Sequence, residues 1–345
     1  MFKRKYAWAI IYGLLLTAFT VYISLDTFVI TRIYAQVPAR TGASAADDGA
    51  ETAADDTETA ADDAAPVEPV EDDAASDVDE ANGSASGENY AESADEISQA
   101  EYPVVTANSY ADENISITIT TYREYDTDIY VADVVLKSAD YLYTALANNS
   151  YGRNVTQKTS EIAEANGAIL AINGDYYASR ERGYVIRNGV LYRESAASSQ
   201  EDLVIYSDGS FEIIEERDVS AQSLVEAGAA QVLSFGPSLI IDGEITVTAD
   251  SEVGRASASN PRTAIGIIGD MHYVFVVSDG RTNQSVGLSL EQLAEFMQSL
   301  GVITGYNLDG GGSSTMYFNG EIINNPTTNG RSIRERSVSD IVCIG

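Results

Sequence analysis

The segment Gly305–Asn319 reads GYNLDGGGSSTMYFN and places an aspartate directly before three consecutive glycines and two serines. Glycine inside a strand or helix costs about 1 kcal/mol relative to alanine, so three in a row need a compensating reason. Asp309 offers a carboxylate, and the residues after it offer bare backbone N–H groups and hydroxyls. The pattern predicts a polar site where an apolar strand ends.

Three other segments also pass from an apolar run into charged, amide and glycine residues: AINGDYY (171–177), NPRTAIGI (260–267) and VVSDGR (276–281). Ligand sites concentrate where loops leave a rigid sheet. The side chains that these segments add to Asp309 are Asn173, Asp175, Arg262, Asp279 and Arg281.

This set of residue types suits an anionic sugar ester. Arginine binds phosphate through paired hydrogen bonds, and glycine-rich turns let backbone N–H groups approach it closely. Carboxylates act as acid, base or nucleophile in glycoside cleavage. Each motif alone also has a structural interpretation, because Asn-Gly and Asp-Gly pairs commonly form turns and glycine-serine runs also form flexible loops.

Residue usage excludes several other chemistries. The chain has one histidine, His272, and one cysteine, Cys343, so an intramolecular disulfide, a cysteine-based zinc site and a three-histidine zinc site are impossible. The glycines are not followed by the Gly-Lys-Ser/Thr of phosphate-binding nucleotidases. A formal net charge of -33 disfavours nucleic acid as a partner.

The elements that must position these residues are mainly strands. Alternating apolar residues predict strands over 115–122, 128–136 and 203–207. Four turn dipeptides between strand-like runs predict hairpins: Asn188-Gly189, Asp208-Gly209, Asp242-Gly243 and Asn319-Gly320.

Two helices are expected, over 159–166 and over 289–300, the second opened by a capping box of Ser289 and Gln292. Nearly continuous apolar strands follow them, at 168–173 and 302–308. Central strands covered by helices indicate an α+β fold with a mixed β-sheet core, flanking helices and β-hairpins.

The N-terminus predicts a membrane anchor. Residues 1–5 carry a basic flank, and residues 6–26 are nearly all apolar, close to the roughly 20 residues that cross a bilayer as a helix. We expect an uncleaved, single-pass anchor in the plasma membrane with its N-terminus in the cytoplasm and the C-terminal domain outside. A cleaved signal peptide is the alternative.

An acidic linker is expected between the anchor and the folded domain. Residues 41–100 hold nineteen acidic and no basic side chains, with few large apolar ones. Such a composition cannot offset the entropy cost of ordering. We therefore assign 27–101 to a disordered linker rich in Ala, Asp and Glu, and 102–345 to the folded domain.

The motifs NGDYY, NPRTAIGI, VVSDGR and YNLDGGGSSTM, together with FGPSLIIDGE and RERSVSDIVCIG, resemble the phosphodiester glycosidase family. The resemblance covers roughly 150–345, and the family includes bacterial relatives described as exopolysaccharide-biosynthesis-like. It implies a hydrolase that cleaves a sugar-1-phosphodiester, here on a cell-surface glycan or polysaccharide. Many relatives carry histidine before the Pro-Arg-Thr segment, whereas this chain has Asn260.

The resemblance implies roles for the residues of the four segments. Asp309 is expected to face the anomeric carbon, with Asp279 or Asp175 as the second carboxylate. Groups expected to bind the substrate are Asn173, Arg262, Arg281, Gly310, Gly311, Gly312, Ser313 and Ser314.

Three alternatives stay open. The domain could bind an anionic glycan without reacting with it, and the acidic segment could serve polymer export. No cofactor is certain, although the three aspartates could gather a divalent cation such as calcium. Sugar identity, stereochemistry and oligomeric state are not determined by the residues.

Overall fold

The computed structural model describes residues 7–40, 103–197, 199–248, 251 and 259–345. The α-helices in these parts of the chain are α1 Ala7–Phe28, α2 Thr159–Ala165, α3 Ala221–Glu226 and α4 Leu290–Ser299. The first eleven strands are β1 Arg32–Gln36, β2 Val104–Val105, β3 Ser109–Ala111, β4 Ile115–Glu124, β5 Thr127–Leu136, β6 Leu142–Leu146, β7 Ser150–Arg153, β8 Leu170–Asn173, β9 Val185–Arg187, β10 Val190–Arg193 and β11 Glu201–Tyr206. The remaining strands are β12 Phe211–Glu215, β13 Ala229–Leu233, β14 Ser238–Ile241, β15 Glu244–Ile245, β16 Thr263–Gly269, β17 His272–Ser278, β18 Thr304–Asn307, β19 Met316–Phe318, β20 Glu321–Ile322 and β21 Asp340–Ile344.

These strands form three large sheets and one small one. The largest has nine strands in the order β15-β14-β18-β16-β17-β5-β4-β3-β2. A five-stranded sheet, the β8 sheet, has the order β20-β19-β8-β21-β6, and another, the β11 sheet, has the order β10-β9-β13-β11-β12. β1 pairs with β7. The predicted sheet-rich α+β class with few helices is confirmed, and the described strand pairs are antiparallel.

The local predictions hold where the signal was strongest. All four turn dipeptides join paired strands. Asn188 and Gly189 both have positive φ angles, 52° and 76°, as a tight two-residue hairpin requires. The predicted capping box opens α4: Ser289 accepts from the backbone of Gln292, whose side chain accepts in return. α3 was not predicted.

The main core lies where the three large sheets face one another. Phe275 and Tyr306 of the nine-stranded sheet pack in one apolar cluster with Met316 and Val342 of the β8 sheet and Leu203 of the β11 sheet. α4 covers the opposite face of the nine-stranded sheet, and α2 packs against the β8 sheet. Rigid sheets therefore support the strand ends that carry the polar motifs.

Antiparallel pairing gathers those strand ends. The start of β16 lies beside the ends of β17 and β18, which places Arg262, Asp279 and Asp309 along one edge of the nine-stranded sheet. Asn173 ends β8 opposite the start of β21 in the β8 sheet. Its side-chain amide donates to the carbonyl oxygen of Asp309 at 2.5 Å, so the two sheets meet at this contact.

The predicted membrane anchor at 6–26 is not supported. Residues 7–28 are helical, but within the described parts of the chain no helix meets the combined length and hydropathy that crossing a membrane requires.

Residues 32–40, which the sequence analysis assigned to a linker from residue 27 to 101, contact the folded domain. β1 pairs with β7, and Tyr34 lies against Tyr151 with ring centroids 5.9 Å apart. The Arg40 guanidinium lies 4.1 Å from the centroid of the Tyr143 ring. The expected disordered linker from residue 41 to 101 falls outside the described residues.

Docking of β1 depends on Gly152. A Cβ atom at this position would overlap the carbonyl oxygen of Arg32 and would also approach Val155. We expect Gly152→Ala in the full chain to speed amide hydrogen exchange in Arg32–Gln36 by about tenfold or more, because loss of roughly 1.4 kcal/mol of docking energy has that effect. Gly269→Ala is the matched control, since a Cβ there meets open space. Unchanged protection in Gly152→Ala would show that the contact tolerates a methyl group.

Candidate active site

Asp309 lies two residues beyond the end of β18, the strand that leads into the glycine run, and its side chain is 16% exposed. Its Oδ2 accepts hydrogen bonds from the Ser313 hydroxyl at 2.6 Å and from Arg336 Nη2 at 2.7 Å. Arg336 Nε also donates to the Ser313 hydroxyl at 2.9 Å. A carboxylate, a hydroxyl and a guanidinium thus form one connected unit.

Burial raises the pKa of Asp309 above its ordinary value, and the Arg336 charge and the Ser313 hydroxyl oppose that rise. A carboxyl group whose pKa lies closer to neutrality than usual is suited to proton transfer. Buried structural acids share such a rise, so the position of Asp309 in a cavity is what distinguishes it from them.

A cavity of about 450 Å³ opens over this unit. Its described lining consists of Thr156, Tyr176, Ser179, Phe235, Asp309, Arg336, Ser337, Val338 and Ser339. A slightly larger cavity of about 480 Å³ lies elsewhere, beside Asn188 and Gln231. Those two amides hydrogen-bond to one another, and that cavity contains none of the predicted site residues. The cavity at Asp309 is the better candidate because its lining includes a carboxylate and a guanidinium, those of Asp309 and Arg336.

The glycine run is required by close packing. Gly311 has φ 64°, and a Cβ there would come 2.8 Å from Arg281 Nη2. A Cβ at Gly310 would come 2.9 Å from the Pro261 carbonyl oxygen, and one at Gly312 would come 2.5 Å from the Thr328 hydroxyl. The run therefore threads between two other loops.

The predicted backbone cradle is only partly available. The N–H groups of Gly311, Ser313 and Ser314 donate to protein carbonyl oxygens, those of Pro261, Gly310 and Gly311. Ser314 is fully buried, and its hydroxyl has no hydrogen-bond partner among the described residues. These three N–H groups consequently hold the loop in shape instead of facing a ligand.

Asn173 has a structural position, in contrast to the expected contact with substrate. It is fully buried, and its Oδ1 accepts from the Thr263 hydroxyl at 2.9 Å and from the Thr315 N–H at 3.2 Å. With its donation to Asp309, the amide links three separate segments of chain. Asn173 thus positions the Asp309 loop from behind.

Asp175 also differs from its expected catalytic role. It is 1% exposed, and its oxygens accept from Arg187 Nη2 at 2.8 Å, the Tyr177 N–H at 2.8 Å and the Ser234 N–H at 3.1 Å. Every one of these donors belongs to the protein interior. The same local sequence that suggested a site carboxylate instead forms a buried ion pair.

Asp279 anchors a distant turn. Its Oδ1 accepts from the Asn325 N–H at 2.8 Å and its Oδ2 from Asn325 Nδ2 at 2.8 Å. Tyr130 and Asn324 donate to it as well, at 3.2 and 3.3 Å. Asp279 does not line the cavity at Asp309, so the predicted second carboxylate is not found there.

The two predicted arginines separate. Arg262 is buried, and its Nε donates to the carbonyl oxygen of Leu288 at 2.9 Å, away from the cavity lining. Arg281 is exposed and lies against Gly311, with Nη2 2.9 Å from Asn260 Oδ1 and Nη1 2.6 Å from the Thr328 carbonyl oxygen. Asn260 therefore holds Arg281.

Arg336 is the site residue that the sequence reasoning missed. It lies in the RERSVSD segment, four residues before β21 begins at Asp340, and the available signal was a basic residue close to a strand in an acidic chain. Partial burial lowers the pKa of Arg281, and the positive charge of Arg336 lowers it further. Two arginines near one glycine run create a positive region that suits an anion.

Behind the site, Arg187 bridges two buried acids. Its Nε donates to Asp340 Oδ2 at 2.7 Å, and its Nη2 donates to Asp175. Asp340 Oδ1 has no hydrogen-bond partner among the described residues and faces Gly174, whose N–H donates to the Asp340 carbonyl oxygen. The Gly174 carbonyl oxygen in turn accepts from the Asp309 N–H at 3.2 Å. The backbone of Gly174 thus connects the buried ion pairs to Asp309 by hydrogen bonds.

The predicted calcium site has no structural support within the described residues. They contain no group of three or more histidine, cysteine or acidic side chains that could hold a metal ion. Asp175, Asp279 and Asp309 accept hydrogen bonds from separate sets of protein donors, and they do not converge on one cation.

A family model described as phosphodiester glycosidase matches residues 166–345. The chain belongs to the phosphodiester glycosidase family. The match contains Asp309, Arg336 and the glycine run, and it confirms the resemblance predicted from the motifs. Family membership supports a glycosidase-type hydrolase.

Relatives of the phosphodiester glycosidase domain agree with this assignment. The chain is 29% identical over 180 residues to the SPbeta prophage-derived uncharacterized protein YomE of Bacillus subtilis (strain 168), covering 51% of this chain and 28% of that protein. It is 27% identical over 197 residues to the mouse N-acetylglucosamine-1-phosphodiester alpha-N-acetylglucosaminidase, covering 52% of this chain and 38% of the mouse protein. The chain thus spans well under half the length of either relative.

One solved structure shares the fold. The zebrafish N-acetylglucosamine-1-phosphodiester alpha-N-acetylglucosaminidase catalytic domain, auto-inhibited by its pro-peptide, has a TM-score of 0.54 and 22% sequence identity. The similarity covers 67% of this chain and 82% of the zebrafish chain.

The buried ion pairs predict a measurable pH dependence. Burial raises the pKa of Asp340 to about 7 against the opposing charge of Arg187, and Asp175 adds to the rise. The folded state therefore binds this proton more tightly than the unfolded state does. The stability it contributes is complete below pH about 4 and is lost as the pH rises through about 7.

We expect Asp340→Asn to be less stable than the wild type and to show a flatter dependence of unfolding free energy on pH across this window. Denaturant unfolding at half-unit intervals from about pH 4.5 to 8 measures the slope. Asp270→Asn, which removes an exposed charge at the β16–β17 turn, is the control. An Asp340→Asn slope equal to that of the wild type would contradict the assignment.

Proposed function

We propose that this protein hydrolyses the bond between the anomeric carbon of a sugar and the oxygen of a phosphodiester, releasing free sugar and a phosphomonoester. The observation that carries the proposal is the unit of Asp309, Ser313 and Arg336 in a cavity of about 450 Å³, inside a domain of the phosphodiester glycosidase family. N-acetylglucosamine is the first sugar to test, because it appears in the names of the mammalian relatives.

In the proposed reaction Asp309 acts as the general base. A water molecule attacks the anomeric carbon and loses a proton to Asp309, a carbon–oxygen bond forms to the water oxygen, and the bond to the phosphate oxygen breaks. The electron pair of the broken bond stays on the departing phosphate. Asp309 then releases its proton to solvent.

A single carboxylate is sufficient for this reaction. Most glycosidases need a second carboxyl group to protonate the leaving oxygen. A phosphate leaving group is weakly basic and departs as an anion, so it needs stabilisation instead of a proton. This agrees with the cavity lining, in which Asp309 is the one carboxylate among the described residues.

Arg336 is proposed to receive the departing anion. It lines the cavity, its side chain is 46% exposed, and it already contacts Asp309. Arg281, which packs against Gly311 and feels the charge of Arg336, adds positive charge to the same region. Preorganised cations at the position where negative charge develops are among the strongest contributors to catalysis. The cell-surface location stays a prediction.

The first test is Asp309→Asn. Loss of the base is expected to lower kcat by about 10²–10⁴-fold, while the unfolding midpoint stays close to that of the wild type. The assay measures release of N-acetylglucosamine from its 1-phosphate methyl diester and from UDP-N-acetylglucosamine. Asp242→Asn is the matched control, because an Asn-Gly turn preserves the β14–β15 hairpin.

Full activity in Asp309→Asn would remove this residue from the mechanism. Tight binding of the diesters by the wild type without release of sugar would instead support a non-catalytic module that binds anionic glycans.

The second test is Arg336→Met. We expect KM for the diester and the inhibition constant of the phosphomonoester product to rise by about tenfold or more, with Arg336→Lys intermediate because lysine lacks the planar fork of arginine. Since the Arg336 charge lowers the pKa of Asp309, its removal should also shift the acidic limb of the kcat/KM profile to higher pH.

The neighbouring exposed residue supplies the control, Arg334→Met, which removes one positive charge without touching Asp309. An unchanged pH profile in Arg336→Met would show that Arg336 does not act on the base.

A further inference from the structure

Phe235 forms a wall shared by two cavities. It lies in the loop between β13 and β14, and it lines both the cavity at Asp309 and a second one of about 410 Å³. The second cavity is also lined by Ser199, Gln200, Glu201, Glu215, Gly236 and Pro237. Both volumes lie in the range of ordinary ligand sites. A ligand that passes over Phe235 can therefore occupy both.

The position of Phe235 is fixed by polar contacts on its backbone. Its N–H donates to the hydroxyl of Tyr306 at 2.9 Å, and its carbonyl oxygen accepts from Gln200 Nε2 at 3.1 Å. Tyr306 is fully buried in the main core. The core thus holds the backbone while the ring remains partly exposed, an arrangement that favours display of the ring over packing of it.

Phe235 is joined by a second ring to form an aromatic wall. Tyr176 meets it edge to face, with ring centroids 5.1 Å apart. The Arg180 guanidinium covers one face of Tyr176 at 4.1 Å and is itself held by the Ser234 carbonyl oxygen at 2.9 Å and by Gln200. Rings held in this way offer apolar area at little entropic cost, which suits the C–H faces of a sugar.

The cavity at Asp309 has a cationic group and an aromatic group in its lining. Arg336 contacts Asp309 and Ser313 and lines the same cavity as Tyr176 and Phe235, and Arg281 packs against Gly311. A phosphate drawn to the arginines would leave the cleaved sugar facing the aromatic wall. Any units carried by that sugar would continue over Phe235.

The second cavity disfavours further phosphate. Its charged lining residues are Glu201 and Glu215, and its described lining includes no lysine or arginine. Glu201 accepts from Ser238, and Glu215 pairs with Arg217 at 2.6 Å, so the local charge is acidic to neutral. Serine, glutamine and glutamate side chains suit the hydroxyl groups of uncharged sugars.

We propose that the substrate is an oligosaccharyl phosphodiester, in which the cleaved sugar carries at least one further uncharged sugar unit that occupies the second cavity. This inference rests on the proposed function and narrows it. Phe235 and Glu215 are specificity residues: the first supports the chain of sugars, and the second rejects a second phosphodiester.

The experiment compares methyl phosphodiesters of two cleaved sugars, N-acetylglucosamine and glucose. For each sugar there are three substrates: the cleaved sugar carries no extension, one uncharged hexose, or one hexose attached through a phosphodiester. For the full-length wild type we expect kcat/KM to be about tenfold higher with the neutral extension than with none, and lowest with the charged one.

Two variants test the assignment independently. Phe235→Ala is expected to bring the ratio of kcat/KM for the neutral-extended substrate to kcat/KM for the unextended one close to one. Tyr206→Ala, at the opposite end of β11 from Glu201, controls for loss of an aromatic ring. Glu215→Lys should raise kcat/KM for the charged extension relative to the neutral one. Glu226→Lys on α3 is its charge control. The Glu215 side chain is 39% exposed, so Glu215→Lys still tests the inference if Phe235→Ala does not fold.

The outcomes separate the two proposals. Hydrolysis of the unextended diester with no preference for the neutral extension overturns this inference and leaves the proposed function standing. If no diester is hydrolysed, the proposed function fails. Calorimetric binding of the diesters then tests whether the second cavity binds the uncharged extension. Neutral-extended diester bound no more tightly than unextended diester by the wild type would overturn the inference in that case also.

Discussion

The site depends on one buried amide. Asn173 ends a strand of the β8 sheet, yet its side chain donates to Asp309 and accepts from Thr263 and Thr315, which belong to other segments. An unsatisfied buried polar group costs about 1–3 kcal/mol, so these contacts stabilise the junction only while all of them are made. The position of the Asp309 carboxylate is therefore fixed where two sheets meet, and the glycine loop starts from that fixed point.

A second set of buried charges supports the same junction. Arg187 links Asp175 to Asp340. Gly174 hydrogen-bonds to the backbone of Asp340 through its N–H and to the backbone of Asp309 through its carbonyl oxygen. Removing one partner of a buried ion pair is strongly destabilising because the other charge is left unpaired. Of the three aspartates predicted for the site, Asp175 and Asp279 accept from donors away from the cavity, and Asp309 lines it.

Much of the local structure could be predicted because its causes are local. The four turn dipeptides form hairpins, the Ser289 and Gln292 pair caps α4, and Asp309 with its glycines lies at the cavity. The motif order was sufficient to indicate the family. Asp175 and Asp279 were assigned to the site because they follow apolar runs as Asp309 does, but burial depends on neighbours far away in the chain, such as Arg187 and Asn325. The β1 strand was missed because its partner, β7, lies more than a hundred residues later.

By itself, the sequence determined the sheet-rich class, the turns, the capping box and the carboxylate beside the glycines, since each depends on residues within a few positions of one another. The tertiary structure decided which acid remains accessible, which arginine reaches it and where an aromatic wall forms. Arg336 follows Asp309 by 27 residues, and Phe235 precedes Asp309 by a larger separation in the sequence. These residues meet only because antiparallel pairing and sheet packing bring distant strand ends to one edge, and no pattern of neighbouring residues encodes that meeting.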